Sequence, residues 1–97
     1  MNPQVLDEKL TVLSKTFLKL RNVEEIKTFL QDLLTKSEQI SIASRLQIAE
    51  MLNAGTPYSQ IQRETGASSA TIAKVSDNLK YGHDGFKLAL ERLGKTR

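Results

Sequence analysis

The stretch TPYSQIQRETGASSATIAKVSDNLKYG, residues 56–82, decides how this chain is read. Thr56-Pro57 sets a helix start, because a hydroxyl caps the free N–H groups and proline lacks one of its own. Gly66 ends that helix, since it takes positive φ without steric cost. After Ala67, either Ser68 or Ser69 caps a second helix, which reaches Tyr81 and stops at Gly82. Ile61 turns inward from the first helix. Ile72, Val75 and Leu79 sit at i, i+3 and i+7 on the second and make one apolar stripe. Two short helices at this spacing, joined by a turn with glycine, form a helix-turn-helix over 56–81. The other side presents Ser69, Ala70, Thr71 and Lys74. Small residues there let the backbone approach a DNA major groove, and hydroxyls and helix-start amides suit phosphates. Thr65 departs from the usual pattern, in which an apolar residue precedes the glycine. A plain pair of helices in an α-bundle remains the alternative at this point.

Outward from that stretch, every periodic segment has helical spacing and none alternates like a strand. Asn2-Pro3 opens a first helix, with Leu6, Leu10, Leu13, Phe17 and Leu20 on one side. Their alternating steps of four and three suit a helix lying along another helix. Asn22 with Glu25 resembles a capping box and opens a second helix through Val23, Ile26, Phe29, Leu30 and Leu33. Thr35 with Glu38 is a better box and opens a third, which runs to about Ala54 and ends at Gly55. Ile40, Ile42, Ala43, Leu46, Ile48, Ala49, Met51 and Leu52 spread over more than one of its faces. Such a helix needs cover on several sides: either it is central within one chain or, as is favoured, a second copy of the chain lies around it. Asp84 caps a last helix through Phe86, Leu90 and Leu93, ended by Gly94. The tail Lys95-Thr96-Arg97 is expected to be loose. The sum is an all-α chain of about six helices in a single domain. Residues 1–55 would form a dimerisation core, 56–81 the helix-turn-helix and 84–94 a C-terminal helix.

Charge follows the same division. The net charge is +3, and residues 1–55 hold seven basic and seven acidic side chains. Residues 56–97 hold seven basic and four acidic, so the whole excess lies beside the helix-turn-helix. That suits a polyanion. The chain has no cysteine, which rules out disulfides and thiolate metal sites. The N-terminus lacks the pattern of a secretory signal, and no apolar run is long enough for a membrane span, so a cytoplasmic, nucleoid-associated place is expected. The sole histidine, His83, lies at a helix junction, and acidic residues are scattered. Neither an enzyme nor a metal site nor a cofactor is expected.

The runs LLTKSEQISIASRLQIAEML (33–52) and ETGASSATIAKVSDNLKYG (64–82) resemble the Trp repressor superfamily, and most closely its Trp-repressor-related, YerC/YecD-like branch. The resemblance extends from about Leu33 to Leu93. It implies a small bacterial transcription regulator, a repressor-like intertwined homodimer whose two helix-turn-helix heads read a palindromic operator in double-stranded DNA. The positions that match the family's DNA contacts are Ser59 and Gln62 on the first helix, and Ser69, Ala70, Thr71 and Ala73 on the second. Ser59 and Gln62 stand where the family has basic phosphate contacts, so Arg63 and Lys74 are expected to compensate in part. No early Arg, Asn or Gln is present for bidentate base reading, which leaves thymine methyls, water bridges and DNA shape.

The resemblance also implies a ligand pocket, at Thr35, Arg45, Lys74 and Val75. Thr35 and Arg45 match pocket residues. Lys74 replaces a stacking arginine, to which it is not equivalent. Val75 replaces a glycine and would fill the space of an indole. One reading keeps a pocket for another small-molecule effector. The favoured one makes Thr35 a cap, Arg45 a surface residue within reach of Glu38, and Val75 core, so that tryptophan is not a corepressor. A rival function is a helical protein-interaction module without direct DNA readout. A third is a DNA role outside transcription, because the superfamily resemblance reaches the DNA-binding domain of the bacterial replication initiator.

Overall fold

The computed structural model describes residues 1–94, and the tail Lys95–Arg97, expected to be loose, lies outside the described residues. Among the described residues there are six helices and no strand: α1 (Pro3–Lys19), α2 (Val23–Leu33), α3 (Lys36–Asn53), α4 (Tyr58–Thr65), α5 (Ser69–Tyr81) and α6 (Gly85–Arg92). The all-α reading with about six helices is what the protein adopts.

Most helix starts follow the chemistry read from the sequence. Asn2 accepts from the Gln4 N–H at 2.8 Å, with Pro3 at the first helical position. Asn22 accepts from the Glu25 N–H at 2.9 Å. Glu25 returns the bond one residue early, to the Arg21 N–H at 2.9 Å. The Thr35–Glu38 box is reciprocal, with the Thr35 N–H on Glu38 Oε1 at 2.9 Å and the Glu38 N–H on Thr35 Oγ1 at 3.2 Å. These bonds hold the Glu38 carboxyl below the ordinary glutamate pKa, first through the Thr35 backbone N–H and then through its hydroxyl.

Two starts differ from the expectation. Pro57 rather than Thr56 occupies the cap position of α4, and no side chain caps that helix. Asp84 precedes α6 as expected, but its backbone is left-handed at φ 62 and its carboxylate makes no cap bond. It pairs instead with Lys87 Nζ at 3.5 Å. At the end of α5, a Cβ on Gly82 would collide with the Asn78 carbonyl, so glycine is required there by a neighbour's backbone.

The chain divides into two compact units, Met1–Gln39 and a second that starts at Ile40. In the first, Phe17 and Phe29 meet edge to face with ring centroids 5.5 Å apart. Neither α1 nor α2 has a single buried residue. Leu6, Leu10, Val23 and Leu33 are exposed, and Leu13, Phe17 and Leu20 are half-buried. The second unit holds the core: Ile48, Ala49, Ile61, Ile72, Val75 and Leu90, with Met51, Leu52, Ala67, Leu79 and Phe86 packed against it. Here α4 packs on α5, and α5 on α6. Within α3 the contrast is internal. Ile48 and Ala49 are buried, whereas Ile40, Ile42 and Leu46 are exposed.

Candidate nucleic-acid interface

The interface is built on the α4–α5 pair. Gly66 takes φ 72 at the end of α4, and its N–H closes on the Gln62 carbonyl at 2.8 Å. Ser68 then caps α5, accepting the Thr71 N–H at 3.1 Å. Of the two candidate caps, Ser68 is the one used, which leaves Ser69 as the first residue of α5, exposed to solvent. The stripe expected to face inward does so. Ile61 and Ile72 are fully buried, Val75 is nearly so, and Leu79 packs against them. The opposite face is thereby fixed in direction, because rotating α5 to hide it would expose Ile72, Val75 and Leu79.

Thr65 explains its own departure from the usual pattern. Its hydroxyl donates to the Ile61 carbonyl at 2.7 Å and accepts the Ala67 N–H at 3.1 Å. It thus fastens both sides of the turn, a task an apolar residue would leave to packing. The signal available in the sequence was a hydroxyl two residues before Ala67, at the close of a helix.

The remaining predicted contacts fall as follows. Ser59, Gln62 and Arg63 are exposed on α4, and Ser69, Ala70, Ala73 and Lys74 are exposed on α5. Thr71 is half-buried, and its Oγ1 accepts a hydrogen bond from Ser68 Oγ at 3.1 Å. That residue is therefore partly committed to the cap. Among the described residues, Arg63 and Lys74 make no ion pair; the two that are formed join Lys27 to Glu24 and Lys87 to Asp84. Two unpaired cations flanking a face of small residues leave their charge available to an anion.

The four residues of the possible ligand pocket have unlike settings. Thr35 is exposed and bonded within the box that starts α3. Arg45 and Lys74 are exposed, and Val75 lies in the core at 2% exposure. Glu38 bonds Thr35, and no ion pair joins it to Arg45 among the described residues. His83 is exposed between α5 and α6. No helix among the described residues is long and apolar enough to cross a membrane. They contain no group of three or more His, Asp or Glu side chains placed to hold a metal ion.

Three comparisons bear on this geometry. The family of the Trp repressor protein matches residues 8–94. The uncharacterised protein YerC of Bacillus subtilis (strain 168) is 43% identical over 89 residues, covering 92% of this chain and 86% of YerC. Two crystal structures have the same fold. A TrpR-like protein from Eubacterium eligens ATCC 27750 superposes with TM-score 0.90 at 34% identity, over 99% of both chains. A candidate Trp repressor from Staphylococcus aureus gives 0.83 at 39% identity, over 96% of this chain and 89% of its own.

Proposed function

This chain belongs to the Trp repressor family, and from that premise we propose that it is a transcription regulator that binds a palindromic operator in double-stranded DNA as a homodimer. One observation carries the reading. The α4–Gly66–α5 unit buries Ile61, Ile72 and Val75 and leaves Ser69, Ala70, Ala73 and Lys74 uncovered at the start of α5. The side chains there are too short to hold a duplex away from the backbone. The exposed N–H end of α5 and the cations of Arg63 and Lys74 supply attraction to phosphate. Base discrimination rests on Ala70, Ala73 and Thr71 against thymine methyls, and on DNA shape. Ser59 and Gln62 approach the backbone without charge, so affinity is modest and falls steeply with salt.

The homodimer is supported by residues 1–55. Uncovered Leu6, Leu10, Val23, Ile40 and Ile42 need a partner surface, and a second copy supplies an identical set. Two reading heads related by a two-fold axis then call for a palindrome. Repression rather than activation follows the family and is the finer part of the proposal, as is its place on the nucleoid. Tryptophan is not the effector in this reading, because the Val75 side chain occupies core at the position where the family site has glycine.

The test is site selection from random duplexes with the purified chain, followed by titration of the selected site at several salt concentrations. Lys74→Ala is expected to lower affinity on all sequences and reduce the salt slope by about one. Selection of no duplex, or an affinity indifferent to salt, would overturn the reading. Calorimetry with tryptophan is expected to show no stoichiometric heat.

A further inference from the structure

The threonines that lie within helices use their hydroxyls in two ways. Thr11, Thr16, Thr28 and Thr65 donate to the carbonyl four residues back, at 2.7 to 2.9 Å. That carbonyl is the ordinary outlet for a hydroxyl proton in a helix. Thr71 does not use it. Among the described residues, the one side-chain hydrogen bond that engages its hydroxyl is accepted, from Ser68 Oγ at 3.1 Å. The Thr71 hydroxyl proton is left over.

Ser68 sets that polarity. Its Oγ accepts the Thr71 N–H at 3.1 Å as the cap of α5, and its own proton goes to Thr71 Oγ1. The two bonds run head to tail. An oxygen that accepts becomes a better donor, so each bond in such a chain strengthens the next. The chain ends on the Thr71 O–H, which has no acceptor among the described residues. Thr71 is half-buried, one turn from buried Val75 and from exposed Lys74, at the margin of the uncovered face of α5.

We infer that Ser68 is a positioning residue for recognition: it holds the Thr71 hydroxyl as a donor, so that Thr71 meets an acceptor-only oxygen of the duplex. The inference rests on the DNA-binding reading above. Thymine O4, guanine O6 and the phosphate oxygens fit this demand. The amino groups of adenine and cytosine, which donate, do not.

The experiment is a double-mutant cycle on the selected duplex, with Thr71→Val and Ser68→Asp. Valine keeps the shape of threonine and removes the hydroxyl. Aspartate keeps the cap but can only accept, so it draws the Thr71 proton inward. Thr71→Val should weaken binding about fivefold in the parent chain. In the Ser68→Asp chain, whose added charge lowers affinity on its own, Thr71→Val should change nothing further. An equal loss in both backgrounds, or none in the parent, overturns the inference. Repeating the titration with single base changes separates the two sources of oxygen. A loss confined to one thymine or guanine marks a base contact, and an equal loss on every duplex marks phosphate.

A measurement without DNA stands beside the cycle. Three-bond couplings to the Thr71 methyl carbon should report one χ1 rotamer in the parent and in Ser68→Asp, and averaging in Ser68→Ala. Averaging in the parent overturns the inference whatever the chain binds. If the chain selects no duplex, the regulator reading falls and takes this contact with it. If it selects one and binds it with the expected salt slope, indifference to Thr71→Val sinks this inference alone.

Discussion

The two halves of this chain solve the problem of apolar surface in opposite ways. The unit that starts at Ile40 buries its large side chains internally, with Ile48, Ile61, Ile72 and Leu90 fully enclosed. The unit of residues 1–39 has eleven leucines and valines against seven in the other, and encloses none of them. Both are helical, and the first is the better capped, since Asn2, Asn22 and Thr35 are all bonded there whereas α4 and α6 lack a side-chain cap bond. The difference teaches that good local helix chemistry and possession of a core are separate properties. Short helices with capping boxes are still marginal alone in water, and most helical stability comes from packing an apolar face. The first unit leaves its apolar face uncovered, which is what the proposed homodimer would close.

The sharpest way to break that contrast is to truncate one side chain in each half. Ile72→Ala should destabilise the folded chain by about 2–5 kcal/mol, since it empties a site closed on all sides. Urea unfolding followed by circular dichroism measures it, and the loss should be independent of protein concentration. Leu10→Asp should cost about 1.5–3 kcal/mol per chain, the value of burying one leucine, and only in the associated form. On the proposed homodimer, sedimentation should then show dissociation at concentrations where the parent chain stays associated. If Leu10→Asp leaves the mass unchanged, the apolar stripe of α1 does not hold copies together.

Smaller effects sharpen the comparison at the level of caps. Ser68→Ala should cost about 1 kcal/mol, because it strips the cap from α5 and frees Thr71 Oγ1 as well. Thr35→Ala should act mainly on the charge of Glu38. The folded Glu38 carboxyl titrates below its unfolded value, so its contribution is present above the unfolded pKa and is lost as pH falls through the folded one. Thr35→Ala removes the hydroxyl and keeps the backbone N–H, so the Glu38 pKa should rise only part of the way. Carbon-detected NMR titration of the side-chain carboxyl reads that directly.

What the sequence disclosed follows from how far each interaction reaches along the chain. Ser68 was one of two candidates, whereas the caps at Asn2, Asn22 and Thr35 join residues two or three apart and were legible. So was the buried stripe of α5, whose period is that of the helix itself. Asp84 was placed correctly and its chemistry misjudged, because an αL backbone turns its carboxylate from the α6 amides toward Lys87. The role of Thr65 was hidden because it depends on two backbone partners on either side of Gly66. The exposed face of α5 was visible in outline. That Thr71 shares its hydroxyl with the cap was not, since it depends on which of two adjacent serines takes the cap position.

Gly66 carries a consequence of a different kind. Its φ of 72 is forbidding to an ordinary side chain, yet a Cβ built there meets nothing within 4 Å. The constraint is one of handedness and not of room. A mirror-image residue finds this backbone as natural as an L-residue finds the α-helix. A semisynthetic chain with D-alanine at position 66 would therefore keep its turn. It would also have fewer unfolded conformations to abandon, and would fold more firmly than the natural one. The turn between α4 and α5 is a point where the chirality of the chain, rather than its packing, sets what evolution can place there.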